Sequence, residues 1–69
     1  MKPGSEHVKT VVVMGIKVDI YGCWDEETPE GEYDFYDLYI DGQCINEGNP
    51  FYQFPTKKTV AVFVNGATA

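Results

Sequence analysis

From residue 8 to residue 20 the chain alternates with a period of two. Val8, Thr10, Val12, Met14, Ile16, Val18 and Ile20 fall on one side, and Lys9, Lys17 and Asp19 on the other. That spacing, in β-branched residues, predicts a strand with one apolar face. Val11 and Val13 on the second face predict that its first half is covered on both sides. Twelve steps at ~3.3 Å reach roughly 40 Å. A globule of 69 residues, with a radius of gyration of about 11 Å, measures under roughly 30 Å across. The strand is therefore expected to bend or break at Gly15, or to reach into a second subunit.

Further along, Thr28-Pro29-Glu30-Gly31 has the composition of a turn. The stretch from Tyr33 to Gly48 then predicts a hairpin about Asp41-Gly42, a two-residue type I′ signal. Such a turn sets Ile40 opposite Gln43, Tyr39 opposite Cys44 and Leu38 opposite Ile45. Tyr36, Leu38, Ile40 and Ile45 would then form the core face. Tyr33, Phe35, Asp37, Tyr39, Cys44 and Asn46 would form an amphipathic, partly exposed one. The segment 49–55, held by Pro50 and Pro55, should be extended and irregular.

The last segment admits two readings. Thr59, Val60, Val62 and Val64 favour a strand, which is the preferred expectation. The alternative is a short helix over 57–64, capped by Thr56 and ended by Asn65-Gly66, although Lys57 and Lys58 oppose its dipole. The fold expected is a single small domain over 1–69, mainly β, with an antiparallel sheet of three to five strands. The alternative is α+β with the C-terminal helix. Residues 1–6 are expected to lack structure.

Charge changes this picture, because it is unevenly placed. Residues 1–24 carry Lys2, Lys9 and Lys17 against Glu6 and Asp19, a net of +1. Residues 25–47 carry nine acids and no base: Asp25, Glu26, Glu27, Glu30, Glu32, Asp34, Asp37, Asp41 and Glu47. Residues 48–69 add only Lys57 and Lys58, and the whole chain carries −6. There is no arginine. Direct contact with nucleic acid, or with an anionic membrane, is disfavoured, since both depend on basic residues meeting phosphate. No apolar run reaches the length of a signal peptide or a membrane span, so a cytoplasmic protein is expected.

The candidate chemistry is sparse. Cys23 and Cys44, two thiols in unrelated contexts, are expected to be reduced, with a single bridge as the alternative. An EF-hand loop started at Asp37 would put Tyr39 at its third position and Gly48 at its twelfth, neither of which is a suitable ligand. His7 is the only histidine, so a zinc cluster is not expected. Neither a metal nor a cofactor is therefore expected. Carboxylates are plentiful but alike, whereas acid–base catalysis needs two in contrasting surroundings. A chain this short also has little room for a pocket of several hundred Å³. Catalysis is not expected.

What remains is the acidic tract with aromatic residues in and beside it. Its plain reading is a solvated edge that keeps a small domain soluble. Its functional reading is recognition of a basic protein surface. Asp25, Glu26, Glu27, Glu30, Glu32 and Asp34 would steer the partner, and Tyr33, Phe35, Phe51 or Tyr52 would anchor it. A homo-oligomer, in the form of a dimer, is expected because the apolar and aromatic surplus exceeds what the chain can bury. A structural domain whose only partner is itself is the alternative. In size, acidity and lack of motifs the chain resembles the small accessory proteins of bacterial mobile elements, such as integron cassettes and phage accessory genes. Some acidic members of that group inhibit nucleic-acid-binding proteins by presenting phosphate-like charge. That resemblance assigns no residues.

Overall fold

The computed structural model describes residues 2–68, with side chains for 2–67. Four antiparallel strands follow one another across a single sheet in chain order: β1 (Gly4–Val13), β2 (Ile16–Trp24), β3 (Phe35–Ile40) and β4 (Gln43–Cys44). One helix, α1 (Lys57–Thr68), closes one face. Residues 25–34 connect β2 to β3, and the other two connections are two-residue turns with positive φ at both positions: Met14 (51°) with Gly15 (77°), and Asp41 (50°) with Gly42 (78°). That is the type I′ pattern, whose twist matches the strands it joins.

The long period-2 run is thus a hairpin broken at Met14-Gly15, and its faces differ from expectation. A two-residue turn pairs Val13 with Ile16, Val12 with Lys17 and Val11 with Val18. Odd positions of β1 therefore share a face with even positions of β2. Val13, Val18 and Ile20 are buried and Val11 packs against them, whereas Val12 and Met14 stand 53% and 63% exposed. The run kept its alternation through the turn while the chain changed sides. A bulge between His7 and Lys9 shifts the register once more. The expected disorder over 1–6 does not hold for its second half, because β1 begins at Gly4, paired with Trp24. Met1 lies outside the described residues.

The Asp41-Gly42 hairpin has the expected register, with Tyr39 opposite Cys44 and Ile40 opposite Gln43. Leu38 is buried, and Tyr36, Ile40 and Ile45 pack against the core on the same side. Two residues leave the face assigned to them. Asn46 is buried, and the Tyr33 ring lies over Gly22 on the helix side. The acidic loop turns one residue later than expected. Its closing bond runs from Glu32 N to Pro29 O at 3.1 Å, with Gly31 at φ 84° supplying the left-handed position.

The preferred strand over 57–64 is a helix, and it runs on to Thr68. The Thr56 hydroxyl accepts from Thr59 N at 3.2 Å, and Val60 N bonds to Thr56 O at 3.0 Å, so capping wins over the β propensity of the valines. Helical spacing brings Val60 and Val64 into the core with Val13, Val18, Ile20 and Leu38. Phe63 meets Phe51 edge to face at 5.1 Å. Each such aliphatic side chain contributes about 1.5–3 kcal/mol by leaving water. A strand at 57–64 would have left the sheet without a second layer. The body is elongated, 37 × 20 × 20 Å.

Candidate functional site

The sheet face away from α1 carries Tyr21, Cys23, Phe35, Asp37, Tyr39 and Cys44, as strand alternation requires. Tyr21 and Tyr39 meet edge to face at 5.1 Å, and His7 meets Tyr21 in the same way at 5.6 Å. Both cysteines are free thiols. Cys23 Sγ points at Asp37 Oδ2, 3.5 Å away. Burial, followed by the Asp37 carboxylate, pushes the Cys23 thiol up to about 12. Burial also raises the Tyr39 hydroxyl above its ordinary value, helped by the charge of neighbouring acidic groups.

At the margin of this face a hollow of about 430 Å³ opens between β3 and the segment 46–52. Asp34, Asp37 and Glu47 are among the residues that line it, with Phe35 and Tyr52. Tyr52 is 70% exposed. A hollow of that size was not expected from so short a chain. It lies where the turns after β4 loop out between two attachments to the β3 edge, Asn46 at one end and the Phe51–Tyr36 bridge at the other. Asn46 ties that segment down, accepting from Leu38 N at 2.9 Å and donating to Tyr36 O at 3.2 Å and Asn49 O at 3.3 Å. Asp34 also lines a second hollow of about 260 Å³ inside the acidic loop, with Asp25, Glu27, Glu32 and Tyr33. The two recesses therefore share one lining residue, Asp34.

The ten candidates separate into three groups. Asp34, Phe35 and Tyr52 converge on the larger hollow, joined by Asp37 and Glu47, which were not among them. Glu26, Glu27, Glu30 and Glu32 are exposed along the loop. Asp25, Tyr33 and Phe51 are occupied by the fold. Asp25 Oδ1 accepts from Glu27 N at 2.9 Å, and from Thr28 N and Thr28 Oγ1 at 3.0 Å each. The Thr28 hydroxyl, and then the Glu27 N–H, hold the Asp25 carboxyl below its usual range. Tyr33 covers Gly22, lies between Trp24 and Tyr36, and donates its hydroxyl proton to Glu6 Oε1 at 2.5 Å. That bond raises the Tyr33 phenol above its ordinary value. Phe51 sits against Phe63, and its carbonyl accepts from Tyr36 N at 2.8 Å.

One side-chain relay looks like a nucleophile and its partners. His7 Nε2 lies 2.7 Å from Thr10 Oγ1, which lies 2.6 Å from Asp19 Oδ1. The proton count argues against that role. The Thr10 hydroxyl has one proton and donates it to the carboxylate, so His7 Nε2 must donate to Thr10 rather than accept from it. The histidine therefore does not face the hydroxyl as a base, as an activated nucleophile of this kind would need. Among the described residues, no three or more His, Cys, Asp or Glu side chains are grouped to hold a metal ion, and no helix is long and apolar enough to cross a membrane.

Neither family models, nor curated proteins, nor solved structures gave a match to this chain.

Proposed function

We propose that this chain is a small acidic interaction module that docks on a basic protein surface through the hollow bounded by Asp34, Asp37 and Glu47. The observation that carries this reading is that three acidic and two aromatic residues line one recess. A lysine or arginine entering it would gain charge-assisted hydrogen bonds from the carboxylates. It would also gain the faces of Phe35 and Tyr52, to which cations are attracted. The exposed acids of the loop supply the long-range part. Glu26, Glu27, Glu30 and Glu32 stand on one single-sign stretch, and such a field raises encounter rates more than it raises affinity. The role is one of binding or inhibition, with no catalytic step and no cofactor.

The test is capture of partners by the tagged protein at low and at high salt, beside two variants. One carries Asp34→Asn, Asp37→Asn and Glu47→Gln; the other neutralises Glu26, Glu27, Glu30 and Glu32. A lysine- and arginine-rich partner held at low salt, released at high salt and lost with the hollow variant supports the reading. The loop variant should slow association and leave dissociation nearly unchanged. Equal capture by the hollow variant, or retrieval of the protein alone, overturns it.

A further inference from the structure

We propose that the free edge of β1 is a homodimer interface, in which a second copy of the chain pairs antiparallel with Lys9–Val13. The first support is the direction of the backbone groups. A two-residue type I′ turn closes on a pair that exchanges both hydrogen bonds, here Val13 and Ile16. Alternation then makes Val11–Val18 a bonded pair, and leaves Val12–Lys17 and Thr10–Asp19 as the close, non-bonded ones. The 2.6 Å side-chain bond between Thr10 and Asp19 fits that closeness. The N–H and C=O of Thr10 and Val12 therefore point away from β2, at an edge that no other strand covers.

A two-fold axis at Val11 sets Thr10 of each copy opposite Val12 of the other. Both of those pairs can exchange both bonds, and Lys9 falls opposite Val13 rather than opposite another lysine. The bulge between His7 and Lys9 ends the pairable stretch there.

The second support is apolar. A hollow of about 330 Å³ lies at this edge, lined by Val11, Val12, Phe54 and Val60 and also by Lys9 and Lys57. Val12 is 53% and Phe54 43% exposed.

The third support is charge. A chain of net −6 repels its own copy. Residues 1–24, which form both strands of the β1–β2 hairpin, carry a net of +1, and the nine acids of 25–47 follow β2. Pairing through β1 keeps the two acidic stretches on opposite sides of the joint sheet. Pairing through β4 would bring them together. A second copy is therefore the occupant that this edge fits.

The test joins sedimentation velocity with residue-resolved amide exchange from micromolar to millimolar concentration. The mass should rise to twice the 7.8 kDa of the chain. Exchange at Thr10 and Val12 should slow at least tenfold with concentration, while Val11 and Val13 stay protected throughout. Val12→Pro removes an outward N–H that an edge strand can lose without harm, and it should give a folded monomer. Val12→Lys, on an exposed position, should weaken association at least tenfold if the proline variant does not fold. High salt should leave the dimer intact, opposite to its effect on a basic partner, so the two proposals fail separately. A monomer at millimolar concentration, or a dimer whose Thr10 and Val12 amides exchange as in the monomer, overturns the inference.

Discussion

The side-chain amide of Asn46 stands in for a strand: its oxygen accepts the Leu38 N–H at 2.9 Å, while Ile45 N takes the Leu38 carbonyl at the same distance. β4 is only two residues long, so without Asn46 the Leu38 N–H would be buried and unpaired. Asn46→Ala should cost about 1–3 kcal/mol in urea unfolding, the usual cost of an unsatisfied buried donor. Asn46→Asp keeps the acceptor but turns a carboxylate oxygen toward the carbonyls of Tyr36 and Asn49. It should destabilise at neutral pH and recover partly in acid. Wild-type stability in both variants would contradict this role.

Gly22 is needed for contact rather than for backbone freedom. A Cβ there would meet the Tyr33 ring at Cδ1, Cγ and Cε1, well inside van der Waals distance. Gly22→Ala should push Tyr33 off the sheet and break its bond to Glu6. The expected loss is about 1–3 kcal/mol, as for other overpacked sites, read as a lower melting temperature. Tyr33→Phe, which keeps the ring and loses only an exposed bond, should cost well under half as much.

The thiols should differ in reactivity. Cys23 is buried beside Asp37, and with its pKa raised to about 12 it is neutral at pH 8–9. Iodoacetamide followed by peptide mass mapping should label Cys44 well before Cys23. The sign for stability follows from the raised value. The neutral thiol favours the fold fully below its unfolded value of 9.0, and that contribution is lost as pH rises from 9.0 toward about 12. Removing the thiol by Cys23→Ala should abolish this alkaline component. Equal labelling of both cysteines in the folded state would contradict the account.

Asp25 sets an acid response of the opposite sense. Its carboxyl is held below its ordinary value of 3.8 by Thr28 and by the Glu27 N–H. The turn it caps is therefore fully supported above 3.8, and the support is lost as pH falls from there through the lowered folded value. Amide exchange at Glu27 and Thr28 should quicken in that window, and Asp25→Ala should show the quick exchange already at neutral pH.

The sheet was legible where a local signal dictates geometry. Asp41-Gly42 fixed the β3–β4 register because few residues tolerate positive φ at both turn positions. Met14-Gly15 forms the same turn, but methionine is not a usual residue at φ 51°, and the valine–isoleucine alternation runs through it unbroken. The alternation therefore points to a bend or break at Gly15 but not to a hairpin, and it puts Val12 on the core side, where the structure has it exposed. The segment 57–64 turned on tertiary demand: its valines suit a strand locally, but one sheet face needed a cover. Of the site, Asp34, Phe35 and Tyr52 were visible as acid beside aromatic. Asp37 and Glu47 were visible only as charge, because their meeting depends on how Asn46 folds the 46–52 segment back. Asp25 and Tyr33 carry the same residue types as a docking surface, yet are spent on a turn and on a glycine.

The central claim is tested most directly by titrating the labelled protein with a lysine- and arginine-rich peptide at low ionic strength, while following amide and aromatic shifts by nuclear magnetic resonance. The account predicts saturable shifts gathered at Asp34, Phe35, Asp37, Glu47 and Tyr52, with smaller ones along Glu26–Glu32, all reversed by salt. Shifts spread evenly over every carboxylate, or confined to the loop and unchanged by Asp37→Asn with Glu47→Gln, would contradict it.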